Sequence, residues 1–159
     1  MTLRQADESD IDAAWEMVND PEGADLTATT ESFERTQISN WYRTRPAEPD
    51  RLDLAIVENA TGEFAGEVVL NEFDEDANSA NFRISLRGPA WFGRGLGTEA
   101  TELIVGHGFD FVGLSSIDLE VLARNPRARS VYNKVGFETV GERREDGEDW
   151  VVMRITSSR

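Results

Sequence analysis

The stretch Phe92-Gly93-Arg94-Gly95-Leu96-Gly97-Thr98-Glu99-Ala100 lies where the hydrophobic period of the chain changes. Upstream, SANFRISL (79–86) alternates, with Phe82, Ile84 and Leu86 on one face, as a half-buried strand does. Downstream, Ala100, Leu103, Ile104, His107 and Phe111 recur at helical spacing and are expected to form the buried stripe of a helix. Between them, glycines let a ligand approach the backbone, and the unpaired amides at a helix start favour phosphate oxygens. Two familiar phosphate loops do not fit. There is no Gly-Lys-Ser/Thr, and Thr98 stands where the third glycine of a dinucleotide fingerprint reading from Gly93 belongs. Taken alone, the stretch reads equally well as a glycine-rich turn before a helix.

Working outward, TLRQA is a short first strand. Ser9 or Asp10 is the expected cap of a helix with Ile11, Ala14, Trp15 and Val18 inward, ended by Asn19-Asp20-Pro21. A second helix is expected from about Thr30, with Phe33, Ile38, Trp41 and Tyr42 inward, stopping before Pro46. RLDLAIVEN, a turn at Ala60-Thr61-Gly62, EFAGEVVLNEF, an acidic turn from Asp74 to Asn78 and SANFRISL read as an antiparallel meander. After the glycine stretch and its helix come the strand SSIDLEVLA and a helix opened by Asn125-Pro126 and closed by Gly136, with Ala128, Val131, Tyr132 and Val135 inward. A hairpin around Glu145-Asp146-Gly147 finishes the chain. This order predicts an α/β (α+β) fold over residues 1–159 as one domain: a mixed, mostly antiparallel sheet of about seven strands with helices on both faces.

Composition narrows the function. A chain of 159 residues with hydrophobic residues at 39% closes one core without staples. No apolar run approaches the ~20 residues of a membrane span, and MTLRQADESD has neither the basic nor the apolar part of a signal peptide, so a soluble cytoplasmic protein is expected. With no cysteine there is no disulfide, no thiolate-bound zinc and no cysteinyl intermediate. The acidic turn at Asp74 to Asp76 lacks calcium-loop spacing, and no metal is expected. The net charge is −15, and Lys134 is the only lysine beside fifteen arginines. Such a surface repels nucleic acid and anionic membranes. Acidity for solubility explains the Asp and Glu excess but not the near absence of Lys; both together suit a protein working in molar salt, a halophilic pattern.

The glycine stretch does not stand alone. Beginning roughly thirty residues further on, Asn125-Pro-Arg-Ala-Arg-Ser-Val-Tyr-Asn-Lys-Val-Gly-Phe137 forms a second string. The pair resembles the GNAT superfamily of acyl-CoA N-acyltransferases, in which a Gln/Arg-x-x-Gly-x-Gly/Ala loop binds pyrophosphate and a helix of the form Asn-x-x-(Ala/Ser)-x-x-x-Tyr-x-Lys-x-Gly-Phe completes the site. Gly95 and Gly97 match the loop; Asn125, Ala128, Tyr132, Lys134, Gly136 and Phe137 match the helix. Phe92 departs, occupying the Gln/Arg slot. Trp91-Phe92-Gly93-Arg94-Gly95 followed by Thr98-Glu99-Ala100 looks more like the RimJ/RimL branch, which acetylates protein N-termini.

The resemblance implies an acetyl-CoA-dependent N-acetyltransferase with direct attack of an amine on the thioester, and a sheet in which the strand Phe82–Leu86 splays from the strand Leu119–Leu122. Acetyl-CoA is the acyl donor. Phe92, Gly93, Arg94, Gly95, Leu96, Gly97, Thr98, Asn125, Arg127 and Arg129 are its expected binding residues, and backbone amides near Ser85 and Leu86 would hold pantetheine. Glu120, twelve positions before Tyr132 in a Leu-Glu-Val string, is the expected base, and Tyr132 the acid that protonates the leaving thiolate. Glu120 also reads as an exposed strand carboxylate and Tyr132 as a core tyrosine. Arg94, Arg124, Arg127 and Arg129 are a local basic concentration suited to phosphates. His107, on the apolar stripe, is expected as a packed or interface residue. Three functions remain open: transfer to a protein N-terminus, placed first; transfer to a small amine or antibiotic; and a non-catalytic CoA-binding module. The protein is expected as a monomer or homodimer.

Self-repulsion at −15 is screened as the Debye length falls roughly fourfold between about 0.1 and about 2 M KCl. The melting temperature is expected to rise over that range in a thermal scan; a flat or falling value refutes salt adaptation.

Overall fold

The computed structural model describes residues 1–158. Its single sheet runs in the order β1-β2-β3-β4-β5-β7-β6. The strands are β1 (Thr2–Gln5), β2 (Leu52–Val57), β3 (Phe64–Asp74), β4 (Ser79–Leu86), β5 (Ser116–Leu122), β6 (Glu138–Glu145) and β7 (Glu148–Thr156). All neighbours are antiparallel except β4 and β5, so the sheet consists of two antiparallel halves joined by one parallel seam. The expected architecture is present.

The alternating side chains divide into two cores. On one face Val68, Leu70, Phe82, Ile117, Leu119 and Met153 pack with Ala100 and Ile104 of helix α4 (Leu96–His107) and Tyr132 of α5 (Pro126–Val135). On the other, Ala55 and Phe64 pack with Ala14 and Met17 of α1 (Ile11–Val18) and Ile38 and Tyr42 of α3 (Arg35–Thr44). No residue of β5, β6 or β7 joins this second core.

Three local expectations need correction. The first helix is capped upstream of Ser9 and Asp10: the Asp7 carboxylate accepts from the Ser9 N–H at 2.8 Å, and Asp10 reciprocates by accepting from the Asp7 N–H at 3.0 Å, closing a capping box around a 3-10 turn, Glu8–Asp10. Asn19-Asp20-Pro21 ends α1 but also starts another helix, α2 (Pro21–Leu26), because Asp20 accepts from the Gly23 N–H at 2.9 Å and Pro21 suits the first turn. The next helix, α3, begins at Arg35 rather than near Thr30; Phe33 lies just outside it, edge-on to Trp41 at 5.4 Å.

The stripe of α4 is also rotated from its expected position. Leu96, Ala100, Thr101, Ile104 and Val105 are buried, and the Thr101 hydroxyl donates to the Gly97 carbonyl at 2.6 Å, so a polar residue fits inside. The helix then widens into a π-helical turn, Gly108–Val112, with Gly108 against Ile117, Leu114 and Leu70. Leu103 and Phe111 are left 46% and 81% exposed. His107 is exposed too, stacked on Phe111 at 5.2 Å; of the expected packed or interface residue, the exposure excludes the packed one.

Asp10 is 3% exposed and receives two bonds from Arg4, at 2.8 and 2.7 Å. Arg4 keeps more than a third of its side chain in solvent, so losing its partner strands only part of a charge. Asp10→Ala is expected to lower stability by ~3 kcal/mol in urea titration, the low end for breaking a buried ion pair.

Candidate active site

The glycine stretch folds as a loop into α4. Gly93 and Gly95 adopt φ of +73° and +79°, left-handed conformations that glycine reaches without strain. Gly95 is the N-cap, and the Glu99 backbone N–H donates to the Gly95 carbonyl at 3.1 Å, leaving the amides of the first helical residues, Leu96, Gly97 and Thr98, without helical partners. A Cβ built on Gly93, Gly95 or Gly97 meets nothing within 4 Å. Packing within the chain therefore does not demand glycine at Gly97, and the approach to the amides is open.

Phe92 is joined to α5 by the Arg127 guanidinium, 4.0 Å from its ring centroid. Arg129 donates to the Ala123 carbonyl at 3.4 Å, and neither arginine has a carboxylate partner among the described residues. The expected basic group is thus only half available. Arg94 is bonded to Glu58 at 2.7 Å with its guanidinium over Trp91, and Arg124 is held by Glu148 and Asp25. Asn125, 9% exposed, caps α5 by accepting from the Ala128 N–H at 3.3 Å and reaches the Leu26 carbonyl at 3.4 Å, tying α5 to α2.

The parallel seam opens beside this loop. β4 and β5 pair only over Ser79–Asn81 and Ser116–Asp118; from Phe82 to Leu86 the edge of β4 toward β5 has no ladder partner. At the point of divergence Phe82, Tyr132 and Phe137 form an aromatic triangle with centroids 5.9, 6.1 and 6.0 Å apart. Further along β4, β3 presses against Ser85 and Leu86 so closely that a Cβ at Gly66 would fall 2.3 Å from the Ser85 carbonyl oxygen.

Tyr132 stands 9% exposed on the α4/α5 face. Burial raises its pKa above the ordinary tyrosine value, so the hydroxyl holds its proton throughout neutral pH. No hydrogen bond to that hydroxyl exists among the described residues, and no buried polar side-chain atom is left unsatisfied, so the oxygen is not sealed from solvent. Glu120 points to the opposite face. Its carboxylate takes two bonds from Arg143 of β6, at 2.9 and 2.5 Å, and Arg143 also pairs with Glu145. The sheet therefore separates the two expected catalytic groups, and only the seam connects their faces.

The same face carries a pair that sequence reading passed over. The Tyr42 hydroxyl donates to Glu67 Oε2 at 2.9 Å, and Glu67 is in register with Ser85. Its one sequence signal is a single carboxylate inside the apolar run Phe64 to Leu70.

A parallel seam that opens between β4 and β5, with a glycine loop beside it, defines a GNAT acyltransferase fold, and the chain belongs to that family: its profile, described as an acetyltransferase (GNAT) domain, matches residues 1–138. Among individual proteins, the chain is 34% identical over 93 residues to the spermidine N(1)-acetyltransferase of Escherichia coli (strain K12), covering 58% of this chain and 50% of that protein. It thus spans about half the length of that relative. An uncharacterized N-acetyltransferase of Bacillus licheniformis is 23% identical over 144 residues, covering 89% of this chain and 80% of its own length. Among solved structures, spermidine N-acetyltransferase from Vibrio cholerae in complex with CoA and spermine superposes with a TM-score of 0.89 at 22% identity, covering 99% of this chain and 95% of that one.

Gly97→Val places a branched side chain in the open space before the amides. Affinity for acetyl-CoA, measured by calorimetry on the folded variant, is expected to fall at least ~10-fold; unchanged affinity removes the loop from the donor site.

Proposed function

We propose that this protein transfers the acetyl group of acetyl-CoA directly to the primary amine of a small polyamine-like acceptor. The observation that carries the reading is the β4/β5 seam, open beside a glycine loop whose amides lack partners and whose approach is clear of side chains. The E. coli relative is a spermidine acetyltransferase, and the V. cholerae structure holds CoA and spermine. These relatives favour the small-amine alternative over the protein N-terminus that sequence reading placed first, and they do not support the RimJ/RimL branch.

Acetyl-CoA supplies the activated acyl thioester. In this reading the amides from Gly93 to Thr98, including Leu96, hold its pyrophosphate, with Arg127 and Arg129 as the available cations and Arg94 kept for Glu58. Asn125 acts by fixing the start of α5. Backbone amides at Ser85 and Leu86 line the seam for pantetheine and the thioester carbonyl. Tyr132 keeps its proton at Oη and delivers it to the leaving sulfur. Glu120 takes a proton from the acceptor ammonium, directly or through water, after release from Arg143.

The test is CoA release across spermidine, lysine and an N-terminal peptide in molar salt. Tyr132→Phe keeps the ring and removes the proton, so kcat is expected to fall ~10²-fold at unchanged acetyl-CoA affinity. Glu120→Gln is expected to matter most while the acceptor is protonated. Raising the pH therefore rescues it for an α-amine of pKa ~8 and much less for an alkylamine near ~10.4. Full kcat in both variants removes these residues from the reaction.

A further inference from the structure

The carboxylates on this chain are, with few exceptions, answered by arginine wherever they leave bulk solvent. Asp10 is bonded by Arg4, Asp53 by Arg51, Glu58 by Arg94, Asp118 by Arg154 and Glu148 by Arg124. Asp20, also partly covered, spends its charge on the Gly23 amide at the start of α2. Glu67 differs. It is partly buried beneath α3, and its one hydrogen-bond partner among the described residues is the neutral hydroxyl of Tyr42, at 2.9 Å. No cation lies within ion-pair distance: Arg45, 3.8 Å from Asp53, and Arg83 both act on Glu67 only from further off, Arg45 the more strongly. Removing a carboxylate from water without a counter-charge is costly, and a cation that pairs with it in good geometry offsets part of that cost.

The position of this unanswered charge is informative. Ala55, Glu67 and Ser85 are neighbours in register across β2, β3 and β4, so Glu67 shares the α1/α3 face with Ser85. Ser85 lies on the edge of β4 that borders the open seam. Glu67 is thus one strand from the seam, on the face opposite Tyr132 and the glycine loop. An acceptor that meets the acyl group from this side passes it.

We propose that Glu67, oriented by Tyr42, is the counter-charge that binds an ammonium group of the acceptor on the α1/α3 face of the seam. The inference rests on the acetyl-transfer reading for the identity of the ligand as an amine, and it names a different carboxylate from Glu120 as the group that selects it. Glu120 already has Arg143; a second cation there competes with a bidentate partner, whereas at Glu67 it fills a place left empty. Tyr42 acts through Glu67 as a positioning residue. The groups facing the Glu67 carboxylate are Tyr42 and Arg45 from α3 and the turn after it, Asp53 from β2 and Arg83 from β4. Desolvation raises the Glu67 pKa, and the Tyr42 hydrogen bond partly opposes that rise.

Glu67→Gln preserves shape and the bond from Tyr42 while removing the charge. Calorimetric titration of the whole protein with spermine in the absence of donor is expected to show affinity reduced ~30-fold or more, with acetyl-CoA affinity within twofold of wild type. In turnover the loss appears in the acceptor KM. Tyr42→Phe removes the bond that holds Glu67 ionised, so the acid limb of kcat/KM is expected to move to higher pH, a change that a packing defect does not produce. Spermine binding to Glu67→Gln as tightly as to wild type, or no spermine binding to wild type, overturns the proposal. Should Glu67→Gln fail to fold, an acid limb unmoved in Tyr42→Phe overturns it. Glu67-dependent spermine binding without any amine-dependent CoA release leaves the proposal standing and overturns acetyl transfer.

Discussion

The parallel seam between β4 and β5 is the constraint on which the molecule depends. Six strand pairings hold the sheet, and this one stops after three residues on each strand. Backbone groups beyond that point must find water or a ligand, since orphaned buried amides and carbonyls are rarely tolerated. The divergence follows from side-chain volume. Phe82 is the first β4 residue past the paired segment, and its ring packs with Tyr132 and Phe137 in a triangle that fills the apex. Gly66 allows β3 to stay close to Ser85 and Leu86, so β4 remains with the first half of the sheet while β5 is held by full pairing with β7.

Arginine performs a second task that lysine could not. Its fork meets both carboxylate oxygens at Asp10, Asp53, Asp118 and Glu120, two of these bridges running between neighbouring or next-neighbouring strands of the β5-β7-β6 half. No residue of β5, β6 or β7 belongs to the second core, and apart from Leu122, buried at the end of β5, paired charges line the corresponding face of that half. Single exposed pairs contribute little, about 0–1 kcal/mol. Their collective effect is to neutralise acidic side chains locally on a chain of net charge −15, which makes the unneutralised Glu67 conspicuous.

The elements of the proposed donor half were legible in the sequence because the chemistry proposed for them is carried by backbone. Glycines at fixed spacing and a capped helix with Tyr132 are short-range patterns, and the structure places Gly93, Gly95, Gly97, Asn125 and Tyr132 in the expected elements. The succession of strands along the chain was legible for a similar reason, since turns and period-two runs are local. The remainder depended on partners distant in sequence. That Arg94 belongs to Glu58, that Arg127 lies on Phe92, or that Tyr42 reaches Glu67 follows from strand register and helix rotation, which no local window contains. The α4 stripe failed for a related reason: apolar spacing through Phe111 suggested one face, but buried Thr101 satisfies its hydroxyl on Gly97 and the π-helical turn directs Phe111 outward.

The division of the site by the sheet also bears on mechanism. Tyr132 belongs to the core under α4 and α5, while Glu67, Ser85 and Glu120 face the other side. Groups on opposite faces of a continuous sheet cannot act on one bond. They can do so here only within the seam, which the proposed proton donor Tyr132 borders on one face and the proposed ammonium site at Glu67 borders on the other, while Glu120 is turned toward Arg143 of β6. That geometry suits direct transfer between two substrates entering from two sides.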